Sequence, residues 1–432
     1  MLRRPLAFVL VCLALMGGTA YAAAPNDPGW SDQWHLRTIH ADLAWTRSRG
    51  AGVIVAVVDT GVDPNQEDLA GRLVPGANFT ASGASTDTSD TQGHGTFMAG
   101  LIAADTGNRL GVASVAPLAK IMPIRVLNSA GTGDPKVVAI GIRYAADHGA
   151  AVINLSLAQE AISGSGGATS NLFIGSDMDQ AINYAAKRAL VVVAAGNNFA
   201  SGGASQTSYT ASSAGVLVVG ASTKSDRRAA YSNYGAGLDV LAPGGGSASD
   251  PSTGACQPNS PVVSTWWTKA NDRTAYGAGC GTSMGVAHVS GIGALLMARG
   301  YSNVAAANRI KSTAVDLYTP GRDDQSGYGR VDAAAAVGAI AMQHRATRRS
   351  SRTSAKRGQT VGAAGTKPAV KDTRISNPAS SSPSPLSGIA LSSARPYGPP
   401  QDPKLRLLAF ALAMTVGVAV ANTITRRVYP SR

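Results

Sequence analysis

The chain has 432 residues, 44% of them hydrophobic, and a formal net charge of +13, which allows one large domain or two ordinary ones. A charge of that size suggests nucleic-acid binding until it is located: residues 343–406 carry +10, the first four residues +2 and the last seven +3, so residues 5–342 carry −2. The near-neutral body gives no basis for a nucleic-acid partner, and a basic excess at the ends speaks to membranes or solvation.

The opening MLRRPLAFVLVCLALMGGTAYAAAP reads as a secretory signal. Arg3 and Arg4 form its charged start, 6–16 its apolar run, and Ala20-Tyr21-Ala22 a small-x-small cleavage site, so residues 1–22 are expected to be removed. An N-terminal membrane anchor is the alternative, against which the shortness of the run counts. Beyond Cys12, the exported part keeps Cys256 and Cys280, and two cysteines in an oxidising compartment are expected to pair. No Cys/His cluster has zinc spacing, and there is no HExxH.

From about residue 50 to 340, β-branched apolar runs alternate with helix-like segments. The runs are VIVAVV (53–58), KIMPIRVL (120–127), AVINLSL (151–157), LVVVAA (190–195) and GVLVVGA (215–221). Runs apolar throughout suit strands buried on both faces of a parallel sheet. Between and after them, 94–104, 135–149, 177–188, 284–299, 303–314 and 332–342 read as helices. The pattern predicts an α/β domain whose mostly parallel central sheet is flanked by helices.

After His344 the composition turns to Ser, Pro and charge, so 343–404 is expected to be a disordered linker. The apolar stretch LRLLAFALAMTVGVAVANTIT (405–425), followed by Arg426 and Arg427, is long enough to span a bilayer. With an exported N-terminus it reads as a stop-transfer anchor, with 426–432 as a short cytoplasmic tail; a buried core helix is the alternative.

Three short stretches carry the chemistry. VAVVDTGVD (55–63) puts Asp59 directly after a strand, GHGTFMAG (93–100) puts His94 at a helix start, and CGTSMGVAHVSG (280–291) puts Ser283 at another. Taken alone, Ser283 reads as a helix N-cap. Beside Asp59 and His94 it also reads as a nucleophile, since serine hydrolysis needs a base and a carboxylate that orients the base. The chain order Asp, His, Ser differs from that of chymotrypsin-like and α/β-hydrolase enzymes.

With DTGVD, GHGT, AAGN (194–197) and GTSM in that order, residues 26–340 resemble the subtilisin-like serine proteases, and among them the thermitase-like branch. The resemblance implies a three-layer peptidase domain over 23–342 that cuts protein or peptide substrates. It implies that Ser283 attacks, His94 transfers the proton, Asp59 orients His94, and the Asn197 amide donates to the oxyanion; a turn-forming role is the alternative for Asn197. It implies substrate pairing with Ser156, Leu157 and Ala158 on one side and Gly131, Thr132 and Gly133 on the other. It also implies a structural Ca2+ held by Asp27, Asp68 and Asn108 with loop carbonyls, although NDP (26–28) and Asp68 also read as turn and helix caps.

The chain departs from the family pattern at Ala158, where Gly is usual, at Ala287, where Pro is usual, and at Phe97, where His is common. About 30 residues separate the expected cleavage point from the first strand, which leaves no room for a large pro-segment. A membrane-anchored member of this family is similar at the fold level to the mycosins of bacterial secretion systems. A catalytically silent binding or scaffold protein on the same fold is the competing reading.

Overall fold

The computed structural model describes residues 24–80, 86–157, 177–197, 207, 209–247, 260–268, 270, 272–340 and the backbone of 395–397. Two short helices, α1 (Trp34–Thr38) and α2 (Ala41–Ala44), precede the central strand β1 (Ile54–Asp59). After the two-residue β2 (Ala77–Asn78) come α3 (His94–Ala103), β3 (Lys120–Arg125), α4 (Pro135–Asp147), β4 (Val152–Leu155), α5 (Asp177–Ala185), β5 (Leu190–Ala194), β6 (Val216–Ser222) and β7 (Val240–Pro243). The chain continues through β8 (Val262–Thr265), β9 (Tyr276–Gly279), α6 (Thr282–Met297), α7 (Asn303–Ser312) and α8 (Ala333–Ala336), with β10 (Arg395–Tyr397) beyond.

The main sheet has the order β2-β3-β1-β4-β5-β6-β7, and every pair in it is parallel. Side chains alternate between faces along a strand. In β1, Val55 and Val57 enter one buried cluster and Ala56 and Val58 the other. Both faces are covered, which is why the strand sequences are apolar without alternation. The first cluster takes in α3 and α6, and the second takes in α4 and α5. All residues from Thr282 to Leu296 of α6 are buried, and a helix apolar all round has this position inside a domain.

The five apolar runs are β1, β3, β4, β5 and β6, the middle of the sheet. The short outer strands β2 and β7 and the antiparallel pair β8–β9 have no comparable signal in the sequence, where YGAG is the whole of β9. The last helix corrects the reading of 332–342: α8 starts at an Asp332 cap that accepts from the Ala335 N–H at 2.9 Å and ends after Ala336. Gly338, at φ 71°, takes the chain into the left-handed region and out of the helix.

Within the stretch read as a linker, Arg395–Tyr397 pairs antiparallel with β9 and covers its outer edge. The signal, the rest of the linker, the apolar stretch 405–425, Ala158 and Cys256 lie outside the described residues. Among the described residues no helix is long and apolar enough to cross a membrane. Cys280 is buried beside Ala221, Ala229 and Tyr231 and is disulfide-bonded.

Candidate active site

In a parallel sheet all strands end on the same side, and ligands bind where those ends open. β1 ends on Asp59, which has no exposed surface. One of its oxygens accepts the Thr60 N–H at 2.8 Å. His94 Nδ1 lies 2.9 and 2.8 Å from the two carboxylate oxygens, so Nδ1 carries the proton and donates it there. Nε2 is left as the acceptor nitrogen; it is buried and has no hydrogen-bond partner among the described residues. Burial pulls the imidazole below its ordinary 6.5, but the Asp59 charge, the hydrogen bond to Asp59 and the Asp90 charge together outweigh burial and leave it raised.

Asp90 brings the two motifs together. It is 2% exposed and accepts from Thr60 Oγ1 at 2.9 Å, from the Gln92 and Gly93 N–H groups at 2.9 and 2.8 Å, and from Thr96 N and Oγ1 at 2.9 and 2.6 Å. Thr60 in turn accepts the Gly95 N–H at 3.0 Å. One carboxylate therefore ties the residue after Asp59 to the first turn of the His94 helix. That turn comes so close to β1 that a Cβ on Gly95 would stand 2.0 Å from the Gly61 carbonyl, hence glycine after His94.

Ser283 is not the N-cap of α6. The cap position is Gly281, with no side-chain bond, and the helix begins at Thr282. The Ser283 hydroxyl, 2% exposed, donates to the Ser156 carbonyl at 3.1 Å, and the Ser156 hydroxyl donates back to the Ser283 carbonyl at 3.0 Å. Ser156 Oγ accepts from Asn154 Nδ2 at 2.9 Å, and Asn154 Oδ1 accepts from Ser290 Oγ at 3.0 Å. This buried chain joins two turns of α6 to the end of β4. Asn197 follows β5, and its Oδ1 accepts both the Thr282 N–H and the Thr282 hydroxyl at 2.9 Å. Thr282 thus turns the amide so that Nδ2 remains available as a donor, beside the first-turn N–H groups that no helical carbonyl satisfies.

Ser156 and Leu157 follow β4, and Gly131-Thr132-Gly133 follows β3; these strands flank β1, so the two segments lie on either side of the Asp59 end. Both Ser156 and Leu157 are buried. The 131–133 loop is folded on Asn128, whose side-chain oxygen accepts from Thr132 N and Oγ1 at 3.1 Å each.

Asp27, Asp68 and Asn108 also meet. Asp27 accepts from the Gly107 and Asn108 N–H groups, and Asp68 from Asn108 Nδ2 at 2.8 Å and the Val112 N–H at 2.8 Å. The Asn108 side-chain oxygen accepts the Leu110 N–H at 2.8 Å, so the amide turns its nitrogen, not its oxygen, toward Asp68. Burial raises both carboxyls, Asp68 to about 6; the Asp27 charge adds to the rise of Asp68, and the Asp105 charge adds to that of Asp27. Among the described residues no group of three or more His, Cys, Asp or Glu gathers as for a metal.

Asp90, Thr282, Asn154 and Ser290 were not legible as site residues in the sequence. Asp90 stands four residues before His94, a spacing that could have prompted the question; the others touch the site only through the fold.

A parallel three-layer domain with these groups at its strand ends defines a serine endopeptidase. The chain belongs to the subtilase family, whose sequence model matches residues 50–329. It is 38% identical over 316 residues to thermitase of Thermoactinomyces vulgaris, covering 72% of this chain and 99% of that one. It is 36% identical over 307 residues to subtilisin Savinase of Lederbergia lenta, covering 70% and 98%. A protease of Pseudoalteromonas arctica PAMC 21717 superposes with a TM-score of 0.59 at 32% identity, covering 73% of this chain and 99% of that one.

A reaction that needs neutral His94 is expected to slow as pH falls through a midpoint above 6.5. Asp90→Asn removes one of the charges that raise His94 and is expected to move this midpoint to lower pH. Rates of fluorophosphonate labelling against pH measure it; an unmoved midpoint would show that the Asp90 charge does not act on His94.

Proposed function

We propose that the protein is an exported serine endopeptidase, tethered to the membrane by residues 405–425, in which Ser283 is the nucleophile. The observation that carries this reading is the doubly placed Asp59–His94 contact, which holds Nε2 as an unpartnered acceptor. The Ser283 proton passes to Nε2 as Oγ attacks the scissile carbonyl, and His94 returns it to the leaving amine. Asp59 keeps the tautomer and stabilises the imidazolium. The tetrahedral oxygen takes Asn197 Nδ2 and the Ser283 N–H, near the positive end of a 16-residue helix.

Attack requires the Ser283 hydroxyl to leave the Ser156 carbonyl. An extended substrate laid along 156–158 supplies N–H groups for such carbonyls, and 131–133 forms the opposing edge. Loss of the Asn197 amide is expected to cost about 10²–10³ in rate, a magnitude borrowed from a subtilisin. The disulfide of Cys280 is assigned to Cys256, the other cysteine downstream of the signal.

Ser283→Ala is expected to abolish fluorophosphonate labelling and peptide hydrolysis with little change in thermal stability. His94→Ala should also lose hydrolysis, and the double variant should be scarcely worse than either single one, because the groups act as a unit. Losses that multiply would sink the assignment of roles.

The Asp27–Asp68 pair fits calcium by its chemistry: two buried hard-oxygen ligands whose mutual repulsion a divalent ion removes, beside a loop rich in carbonyls. The Asn108 oxygen joins them only if its amide rotates. Binding requires the ionised carboxylate, so calcium affinity should rise with pH through about 6, where Asp68 ionises. The sign for the ion-free protein is opposite. A folded-state value raised from 3.8 to about 6 makes this group stabilising at low pH, and that contribution is lost as pH rises through that interval. Chelation is expected to lower the melting temperature at neutral pH and to leave Asp68→Ala unaffected; a melting curve indifferent to chelator in the unmutated protein would remove the metal.

For the tether, the full-length protein is expected in the membrane fraction, and a chain ending at 404 is expected to be soluble and fully active. Full-length protein that is soluble without cleavage would show that 405–425 is not an anchor.

A further inference from the structure

His35 and His288 take no part in the reaction above, yet both are 0% exposed and they touch each other. His35 lies on α1, outside the sheet, and His288 on α6, five residues after Ser283. Their rings meet nearly edge-on, with centroids 4.9 Å apart, and His35 Nδ1 is 2.8 Å from His288 Nε2. His288 Nδ1 is 2.6 Å from the Met284 carbonyl, and the Val263 N–H points at His35 Nε2 from 3.4 Å.

These contacts settle where the protons sit. The Met284 carbonyl can only accept, so His288 Nδ1 carries a proton and Nε2 of a neutral ring is an acceptor. His35 Nδ1 then donates to it. Val263 offers an N–H, so His35 Nε2 must be bare. The four ring nitrogens have room for two protons, one per ring. A third would face a donor with a donor at Val263 or between the rings, wherever it was placed. Its charge would also lie on a ring with no exposed surface.

We propose that His35 and His288 form an acid-sensitive latch: while both rings are neutral they tie α1 to the first turn of the Ser283 helix, and one added proton on either ring releases it. Met284 follows Ser283, so the latch reaches the backbone of the residue beside the reactive hydroxyl. The latch stands without any role for Ser283; only its effect on activity rests on the proposed mechanism.

The surroundings agree in sign. Burial first, then the neighbouring His288 and Arg37, hold His35 well below 6.5, and burial pushes His288 down to about 4. Among the described residues, Arg37, on α1 itself, is the one further charged group that acts on either ring, and from β8 and α6 come only the Val263 and Met284 backbone groups. Unfolded histidines bind protons below about 6.5, whereas these do not until about 4 for His288 and well below 6.5 for His35. Stability from the pair is therefore complete above 6.5 and is lost as pH falls from there toward 4. Nearby His40 has the opposite sign: its 2.8 Å bond to Asp332 raises it, so its contribution is complete at acid pH and is lost as pH rises.

The test uses full-length protein carrying Ser283→Ala, which prevents self-digestion. Long-range proton–nitrogen spectra of the imidazoles at pH 7.5 should show both rings neutral with the proton on Nδ1, and both should stay neutral at pH 6. As pH is lowered from 6.5 toward 4, the unfolding constant should rise by up to about tenfold per pH unit for each ring, about a hundredfold for the pair. Amide exchange, corrected for its intrinsic pH dependence, should quicken at 34–38 and 284–288 together before the sheet opens. Adding His35→Leu and His288→Leu should flatten this acid limb whatever it does to stability at pH 7.5. Should that variant not fold, the spectra and the exchange decide on the unmutated pair. An Nε2 proton on either neutral ring, a ring charged at pH 6, or segments that open only with the whole sheet would overturn the latch.

Discussion

Asp59 is a carboxylate without exposed surface at the end of the central strand, and the groups around it compensate for that burial. An unpaired buried charge costs several kcal/mol, and such a group survives only when it is paired and hydrogen-bonded. Here the compensation comes from Thr60 and from His94, whose ring is held against both carboxylate oxygens. Meeting that requirement places a histidine at the start of α3, and Asp90 and Gly95 allow the helix to approach β1 closely enough. The same contact makes Nε2 an acceptor, so a condition for burying Asp59 also prepares a base.

The second partner arrives by a different device. α6 is buried almost from end to end, and a helix in that position cannot adjust its register by exposing side chains to water. Its polar atoms are satisfied instead by a chain running from Ser290 through Asn154 and Ser156 to the Ser283 carbonyl. Thr282 extends the same logic to Asn197. Satisfied buried networks specify one arrangement because any slip leaves polar atoms unpaired in a low dielectric. Ser283 is thus placed by the buried side chains of Ser156, Asn154 and Ser290, and Asn197 by Thr282.

The N-terminal arm closes the molecule. The Ala333 N–H donates to the Ile39 carbonyl at 2.8 Å and Arg330 Nη1 to the Thr38 carbonyl at 2.6 Å, which joins the arm to the end of the domain. His40 and His35 stand on this arm with opposite responses to acid, one paired with Asp332 and one with a second neutral imidazole. The arm is held to α8 and to α6 by contacts that favour different ranges of pH.

The amino-acid sequence by itself determined the α/β class and the five central strands, and it pointed to Asp59, His94 and Ser283 as candidates. A strand covered on both faces must be apolar at every position, and that leaves a signal within a few consecutive residues. Asp59, His94 and Ser283 were legible because each borders such a strand or a buried helix. The short outer strands and the β8–β9 pair were not, since four residues such as the YGAG of β9 have neither period nor bulk. What only the tertiary structure decided were the partnerships: that Ser283 follows a glycine cap instead of being the cap, that Asn108 turns its amide nitrogen toward Asp68, that Asp90 binds two motifs together, and that His35 meets His288. The last pair is separated by 253 positions. A hydrogen bond depends on distance and direction in space, and no local pattern of residues encodes either across such a separation.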